Sequence, residues 1–145
     1  MNTEGWVMLH YRFPRGPTAR RVYVWRKLKA LGALLLQDAV WVLPAIPRTR
    51  EQFLWLAAEI TELGGDAFLW QGQLLVPHQA ARLRNQFSAD VETEYQQVLR
   101  ALADPDPDLR TLSDQYARAR RHDYFQSALG EVVRARLLEH GQEDG

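Results

Sequence analysis

The chain has 145 residues, 46% of them hydrophobic and 25% charged, with no cysteine and a formal net charge of zero. This is the composition of one globular domain, or of a domain with an appendage, able to build its own core. It excludes extensive disorder, disulfides, thiolate metal sites and cysteine nucleophiles, and no apolar run approaches the roughly 20 residues that span a bilayer.

Met1-Asn2-Thr3-Glu4-Gly5 lacks the basic-then-apolar pattern of a signal peptide, so a cytoplasmic location is expected. Trp6–Phe13 sets Val7, Leu9, Tyr11 and Phe13 against Trp6, Met8, His10 and Arg12, the period of a strand. Pro14-Arg15-Gly16-Pro17 breaks it. Thr18 can cap a helix over Ala19–Leu31 in which Val22, Trp25, Leu28 and Leu31 recur, and Gly32 stops it. Ala33–Gln37 and Val40–Leu43 are apolar runs around Asp38-Ala39, which suits a tight hairpin. Thr49 and Gln52 fit a capping box, followed by a helix stacking Phe53, Leu56, Ala57, Ile60 and Leu63 up to Gly64-Gly65. Asp66–Trp70 is the next strand, Gln71-Gly72-Gln73 a turn, and Leu74–Val76 a short return strand or extended tail.

After Pro77 the period is helical. His78–Ala103 carries Leu83, Phe87, Val91, Tyr95, Val98 and Leu102 on one stripe. Asp106-Pro107 suits the start of a helix with Leu109, Leu112, Tyr116 and Ala119 on its apolar side. A last helix covers Ser127–Glu139. The order is βαββαβ followed by helices only, an α+β chain with a ferredoxin-like half over 1–76, a helical extension over 77–140 and a frayed tail over 141–145.

The neutral total conceals a polarised chain. Residues 1–50 hold nine bases against two acids, residues 51–116 four bases against eleven acids, and 117–145 five of each. Such asymmetry points to an anionic partner for the first third, or to pairing with an acidic surface of the same chain or a second copy. Sixteen of the eighteen bases are Arg, the side chain that grips phosphates and oxyanions in a bidentate way. The bland reading of that ratio is codon bias.

Two basic clusters stand out. The first lies around the loop and opening turns of the first helix. Arg15, Arg20, Arg21, Arg26 and Lys29 are its candidate nucleic-acid contacts. Arg at a helix N-terminus opposes the dipole, which hints at a compensating anion. The second, Arg118, Arg120, Arg121 and His122, ends a helix and is the candidate oxyanion site. Bases there suit the dipole without any ligand, and in both clusters a solvated face is the plainer reading. Trp25, Trp41, Phe53 and Trp55 read as core or interface, with Trp55 off the main stripe of its helix. His10, His78, His122 and His140 are scattered and lack carboxylates at ligand spacing, so no metal is expected. No nucleophile elbow surrounds Ser88, Ser113 or Ser127, and no phosphate-loop or dinucleotide fingerprint occurs, so no catalytic residue and no cofactor is expected.

Thr18-Ala19-Arg20-Arg21-Val22, Trp25-Arg26, Leu28, Gly32-Ala33, Ala39–Pro44, Leu56 with Glu59, Gly64–Ala67 and the late Arg121–Phe125 carry a family pattern. Over roughly Trp6 to Leu138 the chain resembles the N-terminal domain of the ChrB chromate-resistance proteins. The resemblance implies a role in chromate resistance, often as a chromate-responsive transcriptional regulator whose basic N-terminal region contacts DNA. Longer relatives carry a further C-terminal domain associated with the chromate response. A more distant likeness is to ferredoxin-like domains of CRISPR-associated nucleases and PaaX-type regulators. Those nucleases hold a divalent metal with an Asp at the end of the first strand, where this chain has Leu9-His10-Tyr11-Arg12. The expectation is a non-enzymatic cytoplasmic domain that binds DNA, working as a homodimer. The alternatives are an oxyanion-binding accessory protein with chromate as the effector, and a non-catalytic assembly module.

Overall fold

The computed structural model describes residues 5–38 and 40–143. Expectations that fall on 1–4, Ala39 and 144–145 lie outside the described residues. The chain divides into two compact units between Ala80 and Ala81.

The first unit runs β1 (Trp6–Arg12), α1 (Thr18–Ala30), β2 (Leu34–Gln37), β3 (Val40–Pro44), α2 (Pro47–Glu62) and β4 (Asp66–Gly72). The strands form one antiparallel sheet in the order β2-β3-β1-β4. This is the ferredoxin-like arrangement that the element order predicts. β1 is central, pairing Leu9 with Trp41 of β3 on one side and Leu69 of β4 on the other. Its odd residues face the helices: the Phe13 ring and Ile60 side chain of α2 both crowd Gly65. Val7, Leu9, Trp41, Leu43, Val24, Leu28, Phe53, Leu56 and Ile60 are buried in this unit.

Local chemistry moves several boundaries. Thr18 is the first residue of α1 and not its cap, because Pro17 occupies the cap position and no side chain bonds the free amides. The buried residues of α1 are Val24 and Leu28, while Val22 and Trp25 are exposed. An apolar residue every third position turns backwards by about 60° per step and spreads over half the helix circumference. A flat sheet covers only part of that arc. α2 begins two residues before Thr49, at Pro47, whose missing N–H costs nothing at the first helical position. The buried Thr49 hydroxyl accepts from the Ile46 N–H at 3.0 Å and donates to the Pro44 carbonyl, tying β3 to α2. β4 extends through Gly72 and, among the described residues, no strand follows it; 74–76 lead directly into the next helix.

The helices of the second part are α3 (Pro77–Leu102), α4 (Leu109–Arg121) and α5 (Ala128–Glu143). The α3 stripe buries Phe87, Val91, Tyr95, Val98 and Leu102. Val91, Tyr95, Val98 and Leu102 cluster with Leu112 and Ala119 of α4 and Val133 of α5. Asp108, and not Asp106, caps α4, accepting from the Thr111 N–H at 3.2 Å. α5 continues three residues into the segment expected to fray. Among the described residues no helix is long and apolar enough to cross a membrane.

Candidate functional site

α1 sorts its bases by direction. At about 100° per residue, Val24 and Leu28 fix the buried side, and Arg26 then points straight away from it with Lys29 about 60° round. Both are exposed, and so is Arg15 in the bend before the helix. Among the described residues none of the three has a carboxylate within ion-pair distance. Trp25 stands beside them, half exposed, with the Lys29 Nζ 5.7 Å from its ring centre. The structure therefore brings Arg26 and Lys29 together with an aromatic face between them and the helix flank. Arg15 lies outside the helix, in the bend three residues before its first residue, Thr18.

Arg20 and Arg21 fold back onto neighbouring backbone carbonyls. Arg20 donates from one terminal nitrogen to the Leu63 carbonyl at 2.9 Å and from the other to the Pro14 carbonyl at 3.1 Å. Its guanidinium carbon lies 4.9 Å from the centre of the Phe13 ring. Arg21 donates to the carbonyls of Phe13 at 3.3 Å and Pro14 at 3.4 Å. The bases that sequence reasoning places at a helix N-terminus in search of an anion thus close the β1–α1 loop and satisfy an orphan carbonyl at the end of α2. Further along, Tyr23 donates to the Glu59 carboxylate of α2; that hydrogen bond, then desolvation and the Glu59 charge, hold the phenol pKa above its usual value.

The second basic cluster splits. On α4, Arg118 and Arg121 lie about 60° apart, while Arg120 points about 160° away from Arg118. Arg120 sits 3.7 Å from Glu131, and His122 Nε2 lies 2.6 Å from Glu94 Oε2. Both partners are carboxylates, a poor setting for a tetrahedral dianion.

Sequence reasoning missed the polar knot beside this cluster. Asp123 is buried; its Oδ2 accepts from the Tyr95 hydroxyl at 2.8 Å and its Oδ1 from the Ser127 N–H at 2.9 Å. Ser127 Oγ meets Glu92 Oε1 at 3.0 Å. Gln126, at φ 51°, makes the turn. The Phe87 ring contacts Tyr124 and Phe125, with centroids 6.0 Å apart in each case. The segment His122–Phe125 therefore locks α3 to the start of α5. Its one signal in the sequence was an acid flanked by aromatics before a helix.

Among the described residues no group of three or more His, Asp or Glu is placed to hold a metal ion. A shallow depression lined by Arg12, Phe13, Pro14 and Gly64–Asp66 sets Arg12 opposite Asp66 in the strand register, so its charges oppose one another.

The family description "Protein ChrB, N-terminal" matches residues 21–110. Protein ChrB of Cupriavidus metallidurans (strain CH34) is 32% identical over 90 residues, which cover 62% of this chain and 27% of that protein. The chain thus matches about a quarter of the length of that relative. No solved structure matches it. The matched residues run from α1 into the opening of α4 and include the α1 bases Arg21, Arg26 and Lys29. The chain belongs to the ChrB N-terminal family.

Proposed function

We propose that this chain is a non-enzymatic DNA-binding domain of a chromate-resistance regulator, reading duplex DNA chiefly through its phosphates. Family membership associates it with chromate resistance. The observation that carries the DNA reading is the outer face of α1, where Arg26 and Lys29 project side by side from the fold without carboxylate partners. Arg15 extends the same charge toward the helix N-terminus. Glu59 of the same unit is engaged by Tyr23 on the flank toward α2.

Three bases make a modest electrostatic footprint, about three phosphates per subunit and six in a homodimer. Each neutralised phosphate contributes a slope of about −0.9 in log K against log salt. Six contacts then lose roughly a thousandfold in affinity between 50 and 200 mM salt. No base-reading side-chain set accompanies them, so affinity without strong sequence preference is expected.

The test is a salt titration of duplex binding by wild type and by Arg15→Ala/Arg26→Ala/Lys29→Ala. The variant should bind more weakly and with a slope flatter by about 2.7 per subunit. An unchanged slope removes α1 from the interface. Absence of binding by wild type at low salt overturns the reading.

A further inference from the structure

The two edges of the sheet are unequal. β2 is four residues long, its register with β3 is interrupted between Leu35 and Gln37, and Asp38 turns out of it at φ 48°. A short, bulged edge resists pairing with another strand. β4 is seven residues long, pairs with β1 in unbroken register from Asp66 to Gly72, and is the outermost strand. It holds no Lys, no Pro and no bulge, the devices that protect an edge. Its far side therefore presents a row of backbone donors and acceptors with no strand partner among the described residues.

The side chains along that edge are apolar and open. Phe68 is 52% exposed and Trp70 56%, both on the face of the sheet opposite α1 and α2, with His10 of β1 stacked on Phe68 at 5.3 Å. On the helix layer above, Glu59 marks the α1 side of α2. Leu54, 61% exposed, lies on the opposite flank, about 130° round α2 from its buried side.

We propose that β4 is a self-pairing edge: two copies of this chain join antiparallel along Asp66–Gly72, centred on Leu69, into one eight-stranded sheet. The strand is complementary to itself in that register. Phe68 falls opposite the second copy's Trp70 and Trp70 opposite its Phe68, all four rings on one face, a favourable cross-strand pairing. Asp66 falls opposite Gly72, so the strand's one charge meets no like charge. A two-fold axis closes the assembly and leaves no further β4 edge open.

The size of the surface sets the strength. Phe68 and Trp70, roughly half exposed, leave about 200 Å² of aromatic surface per copy. Weak specific pairs bury about 500–600 Å² per partner. The strand backbone and Gln71 supply the remainder, which places the dimer at the weak end of specific association, in the micromolar range. This inference is independent of the α1 reading, since it uses a different edge and different residues.

Sedimentation of the full chain from about 1 to 100 µM should show a monomer–dimer equilibrium with a midpoint in that range. Trp70→Lys and Phe68→Lys, both surface changes, should raise the dissociation constant at least tenfold, while Trp55→Lys on the exposed face of α2 leaves it unchanged. Because the chain has no cysteine, Leu69→Cys offers a second measure that needs no loss of affinity. The residue on the two-fold axis should form a covalent dimer on mild oxidation far faster than Trp55→Cys. A wild-type monomer throughout, a dimer that survives both lysine variants, or equal oxidation rates at 69 and 55 each overturn the proposal. So does a monomer whose tryptophan fluorescence is quenched by a single-stranded oligonucleotide through Trp70, which would make this face a platform for stacked bases.

Discussion

Tyr95, buried in the middle of α3, donates its hydroxyl hydrogen to the buried carboxylate of Asp123, 28 residues later, at 2.8 Å. The same carboxylate accepts from the backbone at the start of α5. Two helices are therefore held by one side chain, and losing either end leaves a buried polar group unpaired. Tyr95→Phe is expected to cost about 1–3 kcal/mol by chemical denaturation. Asp123→Ala should cost more, because it orphans both donors. A smaller loss in Asp123→Ala than in Tyr95→Phe contradicts the shared-acceptor geometry.

The pair also predicts a pH dependence. Burial, then the hydrogen bond to Asp123, raise the Tyr95 pKa above its ordinary value of 10.0. The unfolded chain then binds fewer protons than the folded one above that pH, so stability falls as pH rises. The contribution is whole below pH 10 and is lost progressively above it. Tyr95→Phe lacks this term, so the stability gap between wild type and variant should narrow above pH 10. A gap that stays constant from neutral pH upward counts against it.

Gly130 tests how firmly Tyr95 is held. Within α5 a glycine-to-alanine change ordinarily favours the helix by about 1 kcal/mol. Here an added Cβ would meet the Tyr95 hydroxyl at 3.0 Å and its ring at 3.1 Å. The ring is fully buried and its hydroxyl anchored, so it cannot swing aside. Overpacking of this kind costs about 1–3 kcal/mol and should outweigh the helical gain. Gly130→Ala is expected to lower the melting temperature, and in a Tyr95→Leu background the same change should be neutral or stabilising.

The ferredoxin-like order and the α3 stripe were legible in the sequence because each rests on repetition. β1 alternates over seven residues, and α3 repeats its apolar positions over about five turns, so a slip of one residue would expose the whole set. The direction of single side chains was less legible. Arg20 and Arg26 are alike in sequence, yet one is folded onto the Leu63 carbonyl and the other projects outward. That difference depends on where α2 ends, 43 residues away. The Tyr95–Asp123 pair was hidden for the same reason, since neither period nor spacing relates an α3 tyrosine to the turn before α5.

Asp108 carries an acid-side prediction. Its carboxylate accepts from both the hydroxyl and the N–H of Thr111, which holds its pKa below the ordinary 3.8. A depressed carboxylate stabilises the fold above its unfolded pKa and loses that contribution as pH falls through the folded value. Asp108→Asn keeps an acceptor for the helix N-terminus but removes the titration. Wild type and variant should therefore converge in stability below pH 3.8 and separate above it. A difference independent of pH would mean that the charge on the cap does not matter.

Arg20, Arg26 and Lys29 separate folding from binding. Arg20 satisfies two backbone carbonyls and covers the Phe13 ring. Removing it leaves the Leu63 carbonyl at the end of α2 without this donor and leaves Arg21 alone on the β1–α1 loop, at a cost of about 1–3 kcal/mol. Arg20→Lys should not restore this, because one ammonium cannot span two carbonyls and the ring with the geometry of a planar fork. Arg26 and Lys29 touch no carboxylate among the described residues and sit on an exposed helix face, where substitution is expected to change stability by less than about 0.5 kcal/mol. Thermal melts and duplex-binding salt slopes measured on the same preparations should therefore move in opposite patterns. Arg20→Ala should lower the melting temperature and, in the fraction that remains folded, leave the salt slope within one contact of wild type. Arg26→Ala/Lys29→Ala should melt like wild type and flatten the slope by about 1.8. An Arg20→Ala protein that melts normally and loses slope would return that guanidinium to the nucleic-acid face.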